Sequence, residues 1–276
     1  MGGKVIAHQA NDNTGLYLLF APGKRPDRDS IRRFAERHPA VSLSHDPFDP
    51  PTPGLIAASA DGDAPAAPAG AGLAEKVWVE LLRDGLTFDL RGMVPGRACL
   101  VPHVENLFDM EDAPNLSTCE GMRIMPGPHL AGGERTVPVM RGMIALARDL
   151  VHHFDDLAAV AWPPAKSAIG RRFFESTVTA WLEGGAFPAL GLTAFREDID
   201  GALQSVGLEH WIGQELRIEP PLSADRASAT RLGVRLVNQL VLVGGLDESE
   251  RIIAPDGSRL ILRPSRNGRF IRVWRE

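Results

Sequence analysis

The chain has 276 residues, of which 44% are apolar and 24% charged. That is enough apolar surface to offset chain entropy, so disorder over the whole length is excluded, and the size allows one large domain or two modest ones. Thirty basic against thirty-five acidic residues give a net charge of −5, which argues against a general nucleic-acid binder, and none is expected as partner.

The first predicted elements form a compact β-α-β pattern. Leu16–Phe20 is a short apolar run of strand length. Asp27 or Asp29 can cap a helix through Arg37 that carries Ile31, Phe34 and Ala35 on one face. Val41 and Leu43 then alternate with serines, as a half-buried strand does. In residues 50–74, eighteen of twenty-five are Ala, Gly or Pro. Such a stretch offers little to a core and reads as a flexible linker or surface loop. Beyond it, Val77–Val79 and Leu86–Leu90 flank Asp84-Gly85, a hairpin signal.

Met122–Ile124 is a weak strand. Thr136 can cap a helix whose Met140, Met143, Ile144, Ala147, Leu150, Val151 and Phe154 recur at three- and four-residue spacing. Leu157–Trp162 is a strand ended by Pro163-Pro164. Ser167 is expected to cap the next helix, which Gly184-Gly185 stops. Strands follow around Ala189–Phe195 and Glu215–Glu219, then a helix from about Ser223 to Val241. Last comes a hairpin on Asn267-Gly268, the preferred type I′ pair. A two-residue loop there sets Leu262 opposite Val273, Ile261 opposite Trp274 and Arg263 opposite Arg272. Helices and strands mix without strict βαβ alternation. The expected class is therefore α+β, with mainly antiparallel sheets, packed helices and two halves of similar topology, residues 1–112 and 113–276.

Two stretches resemble the uncharacterised bacterial domain-of-unknown-function family DUF 4261. They are Ala158–Pro164, a strand running into Trp-Pro, and Val206–Leu216, with Gly-Leu before an aromatic and a Glu opening a strand. The matching family positions are Gly207, Leu208 and Glu215. The resemblance implies an α+β bacterial domain without established activity, and it carries over no catalytic residue.

Motifs for nucleotide binding and for a Ser nucleophile are missing from the sequence. His103-Val104-Glu105 resembles the H-x-E of zinc deaminases but lacks the downstream P-C-x-x-C. His152-His153 cannot share one metal from adjacent helical positions; they read as last-turn residues that favour the helix dipole or pair locally. Cys99 and Cys119 are read as free thiols in a reducing compartment. No cofactor and no metal are expected. Neither a secretory signal nor a membrane span is evident, and the expected location is cytoplasmic.

Two candidate sites remain. Trp162, His210, Trp211 and Glu215 form a candidate pocket, in which Glu209 or Glu215 would orient His210. Arg263 and Arg272 form a candidate anion site. Seven arginines stand in residues 251–276 against Asp256 and Glu276, and two arginines directly opposite each other are unfavourable unless something negative intervenes. That negative group is an internal carboxylate, an acidic partner or the chain's own acidic 105–112 stretch, or a phosphate-bearing ligand. Trp78, Trp181 and Trp274 fall at core-like positions, whereas Trp162 and Trp211 are less clearly patterned. The leading functional expectation is a non-enzymatic protein that binds another macromolecule, with a protein as the partner. The alternatives are a hydrolase and a sensor of a small phosphate-bearing ligand.

Overall fold

The computed structural model describes residues 15–47, 77–111, 115–254 and 256–276. The 50–74 segment lies outside the described residues.

Eight strands make the first sheet: β1 (Leu16–Phe20), β2 (Val41–His45), β3 (Trp78–Arg83), β4 (Leu86–Arg91), β5 (Asn106–Phe108), β6 (Glu120–Pro126), β7 (Leu157–Trp162) and β8 (Ser167–Gly170). Their order is β2-β3-β4-β6-β1-β7-β8-β5, antiparallel except between β5 and β8. β1 sits between β6 and β7. Its Leu16, Leu18 and Phe20 join the main core, and its Tyr17 and Leu19 join a smaller cluster with Cys119, Ala159 and Ala161 on the other face. Both faces are covered, which is why the strand reads as an unbroken apolar run.

Helices α1 (Arg28–Arg37), α2 (Val137–His153) and α3 (Arg171–Leu182) accompany this sheet, α2 and α3 packing side by side. The Asp27 carboxylate accepts from the Ser30 N–H at 2.8 Å and caps α1, and Ile31, Phe34 and Ala35 are buried. In α2, Met140, Met143, Ile144, Ala147, Leu150 and Val151 are buried as the spacing predicts, while Phe154 is the C-cap.

Ser167 does not cap a helix. It lies inside β8, where its hydroxyl donates to Gly191 O at 2.5 Å, and α3 starts four residues later with Gly170 at its N-cap. After the α4 turn (Ala189–Leu192) come β9 (Ala194–Glu197), β10 (Leu203–Val206), the short α5 (Glu209–Ile212), β11 (Glu215–Ile218), α6 (Arg226–Val243), β12 (Glu250–Ile253), β13 (Arg259–Pro264) and β14 (Phe270–Arg275). The second sheet has the order β12-β13-β14-β11-β10-β9 and is antiparallel except between β11 and β14. α6 packs on its inner face. Two mainly antiparallel sheets with packed helices make an α+β fold.

A boundary at 112/113 runs through the first sheet, because β6 stands between β4 and β1, β7 beside β1, and β8 beside β5. The sheets change over between β8 and β9, and they differ in strand number and order. Gly207 sits where they meet. Its φ is +91°, and a Cβ there would stand 2.8 Å from Ala165 Cα, so a side chain has no room at this close approach.

The two hairpin signals have different outcomes. Asp84 (φ 51°) and Gly85 (φ 78°) both take positive φ and close a type I′ turn between Arg83 and Leu86. At the C-terminal hairpin only Gly268 has positive φ (70°). The Gly268 N–H donates to Ser265 O at 2.9 Å, and the Ser265 N–H donates to Phe270 O, so four residues form the loop instead of two. The Asn267 side chain accepts from the Ser265 hydroxyl at 2.7 Å, which stabilises the wider loop. Adding one residue on each strand side leaves the pairing unchanged, so Arg263 still faces Arg272 and Ile261 still faces Trp274.

Candidate functional site

Trp162, His210 and Trp211 do come together, at the junction of the two sheets. The Trp162 ring lies edge-on to His210 at 5.2 Å and tilted to Trp211 at 5.9 Å, and Trp181 and Phe187 close the cluster. Trp162 is 0% exposed and Trp211 6%. These two are core residues, whereas Trp78 and Trp274, which periodicity placed in the core, are half-buried. The indole N–H groups of both Trp162 and Trp211 are buried without a hydrogen-bond partner. Burial lowers the His210 pKa to about 4, with Arg135 adding a smaller repulsion. His210 is therefore neutral near pH 7.

Glu215 does not orient His210. Its carboxylate turns back on the loop before α5. It accepts N–H bonds from Gly207 at 2.8 Å, Glu209 at 3.2 Å and Leu208 at 3.3 Å, and it accepts the Ser205 hydroxyl. The Ser205 oxygen in turn accepts the Leu216 N–H at 2.7 Å. Burial raises the Glu215 pKa, and these donors partly offset the rise. The carboxylate is a structural counter-charge for a helix start. Its oxygens are occupied by these local donors, and among the described residues it makes no bond to the imidazole.

The arginine pair occupies the outer face of the second sheet, opposite α6. Arg272 donates through Nε to Glu219 at 2.5 Å, and its guanidinium lies 4.9 Å over the Trp274 ring. Glu219 is 4% exposed and also accepts from Arg217 Nε at 3.1 Å. Arg217 further bonds Asp198 at 2.5 Å and Asp200. The internal carboxylate expected for the pair is thus Glu219, and it serves only one member. Arg263 is exposed and makes no ion pair or hydrogen bond among the described residues.

Among the described residues, the acidic 105–111 stretch makes no ion pair with Arg263. Glu105 bonds Lys166 at 2.8 Å and approaches His103 at 3.2 Å, and Glu120, at the start of β6, bonds Arg25 at 2.8 Å. Beside Arg263 on the same face stand the exposed Arg251 and Arg259 and the half-buried Ile261, Phe270 and Trp274. Arg251 is held by Glu276 at 2.9 Å. Ile253 of the edge strand β12 is 75% exposed.

Sequence reading missed Arg217 as the centre of this network. Arg217 alternates with the buried Leu216 and Ile218 along β11, but nothing local in the sequence announces Asp198 and Asp200, which come from the β9–β10 connection.

The other motifs resolve into local contacts. His152 pairs with Glu175 at 2.6 Å, and His153 packs edge-on to Phe34 at 5.2 Å. Burial, with His38 next, lowers the His153 pKa, so desolvation overrides the helix dipole there. Both cysteines are free, and burial raises the pKa of each thiol. Among the described residues no three His, Cys, Asp or Glu side chains come together as a metal site, and no helix is long and apolar enough to cross a membrane. Compared with known proteins, the chain matches no family model, no curated sequence and no solved structure.

Proposed function

We propose that the protein is a non-enzymatic cytoplasmic bacterial protein that binds another protein, and that the outer face of the second sheet is its docking surface for an acidic segment of that partner. The observation that carries this reading is the cross-strand pair Arg263–Arg272, in which Glu219 serves Arg272 and Arg263 has no carboxylate among the described residues. Like charges directly opposite each other cost stability, so a surface that keeps them favours an anionic partner. Phe270, Ile261 and Trp274 between the arginines add an apolar contact. Rigid aromatics and arginines are the residue types that anchor protein interfaces. The net charge of −5 supports a protein partner over a nucleic acid. Kinship with the DUF 4261 group is part of the same proposal and rests on the Ala158–Pro164 and Val206–Leu216 stretches.

The test is fluorescence anisotropy with a labelled Glu-rich peptide containing Phe and Leu. The expected result is saturable binding that weakens as salt rises and falls at least about tenfold in the Arg259→Glu/Arg263→Glu double variant. Binding that ignores these substitutions, or no binding at low salt, overturns the assignment. Preference for a single-stranded oligonucleotide over the peptide overturns the choice of partner.

A further inference from the structure

A second arginine cluster lies on the opposite face of the second sheet, and the function proposed above does not use it. α6 covers β10 and β11 but leaves the far side of the sheet, toward β12 and β13, less covered. The gap is a cavity of 580 Å³ between α6 and the turn that joins β12 to β13, within the range of small-molecule sites, roughly 300–1,000 Å³. Leu222, Ala229, Leu232 and Ala254 give it an apolar lining. Arg231 and Arg235 from α6 and Arg275 from the end of β14 line it as well.

Arg231 and Arg235 are four residues apart on one helix, a spacing at which like charges repel. Arg275 brings a third positive charge to the same cavity. Asp225 and Asp256 line the same cavity, Asp225 within electrostatic reach of Arg231 and Asp256 within reach of Arg275, and each is also held by hydrogen bonds of its own. Asp225 caps α6, accepting from the Ala227 N–H at 3.1 Å and the Ser228 hydroxyl at 2.5 Å. Asp256 accepts from the Ser258 N–H at 3.0 Å and its hydroxyl at 2.6 Å. Arg231 donates only to Ser228 Oγ, at 2.9 Å, and Arg235 makes no hydrogen bond or ion pair among the described residues. The cavity therefore combines an apolar lining with three guanidiniums against two carboxylates. Among the described residues none of the three is in a salt bridge, and Arg235 has no facing acid. A guanidinium fork matches the oxygens of a phosphate two at a time.

We infer that this cavity binds a small phosphomonoester carrying an apolar body, with Arg231, Arg235 and Arg275 on the phosphate and Leu232 and Ala254 against the body. Three guanidiniums against two carboxylates leave a surplus positive charge, and the oxygens of a phosphate offer the guanidinium forks more acceptors than a carboxylate does, while the apolar lining separates such a ligand from free phosphate.

The experiment is thermal melting of the full chain with inorganic phosphate, phenyl phosphate, AMP and benzoate. Phenyl phosphate or AMP at saturation raises the melting temperature by about 5 °C, and benzoate and inorganic phosphate do so only at far higher concentration. Arg231→Ala and Arg235→Ala, both on the exposed side of α6, each weaken the effect at least tenfold, and Arg263→Ala leaves it intact. Equal response to inorganic phosphate and phenyl phosphate overturns the role of the apolar lining. No response, or a response that Arg235→Ala leaves unchanged, overturns the site. Because Arg263 is the control, failure here is separate from failure of the docking surface.

Discussion

The junction around Trp162 and His210 and the outer face around Glu219 treat polar groups in opposite ways. At the junction, two indole N–H groups and an imidazole are held among aromatic rings, and neither indole N–H has a hydrogen-bond partner among the described residues. On the outer face, one buried carboxylate binds two guanidiniums, and one of these binds two further carboxylates. The junction gives up hydrogen bonds for apolar contact, and the face saturates its charges until the arginines outnumber the acids. A histidine and tryptophans in a cluster are therefore core here, and chemistry toward a partner is available where charge is left over.

Five substitutions break or sharpen this contrast. The largest effect belongs to Trp162→Ala, which empties the centre of the junction and lowers unfolding free energy by about 3–5 kcal/mol in denaturant titration. Next comes His210. Its folded pKa, about 4, lies below the ordinary 6.5. The neutral ring thus contributes stability that is present above pH 6.5 and is lost as pH falls through 6.5 toward 4. The loss approaches about 3 kcal/mol at the acid end. The difference in denaturation midpoint between the native chain and His210→Phe should grow across that window and stay flat above it.

Glu219→Ala leaves Arg217 and Arg272 without their shared acceptor. The expected cost is about 2–3 kcal/mol, below the ~3–5 of a fully buried pair, because Arg272 keeps water contact. The smallest effect has the opposite sign. Arg263→Glu turns a repulsive cross-strand pair into an attractive one and raises stability by about 0.5 kcal/mol, while the same change weakens capture of an acidic peptide. A variant that melts higher and binds worse would mark Arg263 as kept for binding. One that melts lower would place an unseen anion beside it.

Glu215 gives the contrast a pH signature of its own. Its folded pKa is raised, so its contribution is present below its ordinary value of 4.5 and is lost as pH rises through the folded one. Glu215→Gln removes that loss, and it sets an amide N–H against the Leu208 N–H at a cost of about 1–2 kcal/mol. His210 and Glu215, five residues apart, tilt stability in opposite directions.

Most helices and strands were legible because their signals are local. Asp27 caps α1, and the α2 spacing buries its apolar face. The C-terminal register was legible for a sturdier reason: any symmetric loop gives the same cross-strand partners, so Arg263 meets Arg272 whether two residues turn or four. The turn type was not, because the Asn267 side chain found the Ser265 hydroxyl and the Phe270–Ser265 bond replaced the tighter closure. Ser167 shows the same limit. Its type suits a helix cap, yet the carbonyl of Gly191, which no local pattern reveals, holds it within a strand. The candidate site was half legible. Residue type and alternation placed the arginines, and long-range partners decided which of them are spoken for.

The interleaving of β6 and β7 around β1 has a consequence for biosynthesis. Leu16–Phe20 leaves the ribosome first among the described strands, and its two neighbours end at Pro126 and Trp162. A nascent chain halted near residue 112 would hold a fully apolar ribbon with both edges bare. Such a ribbon invites pairing with another copy, so slow translation between these points should favour clumping over native assembly.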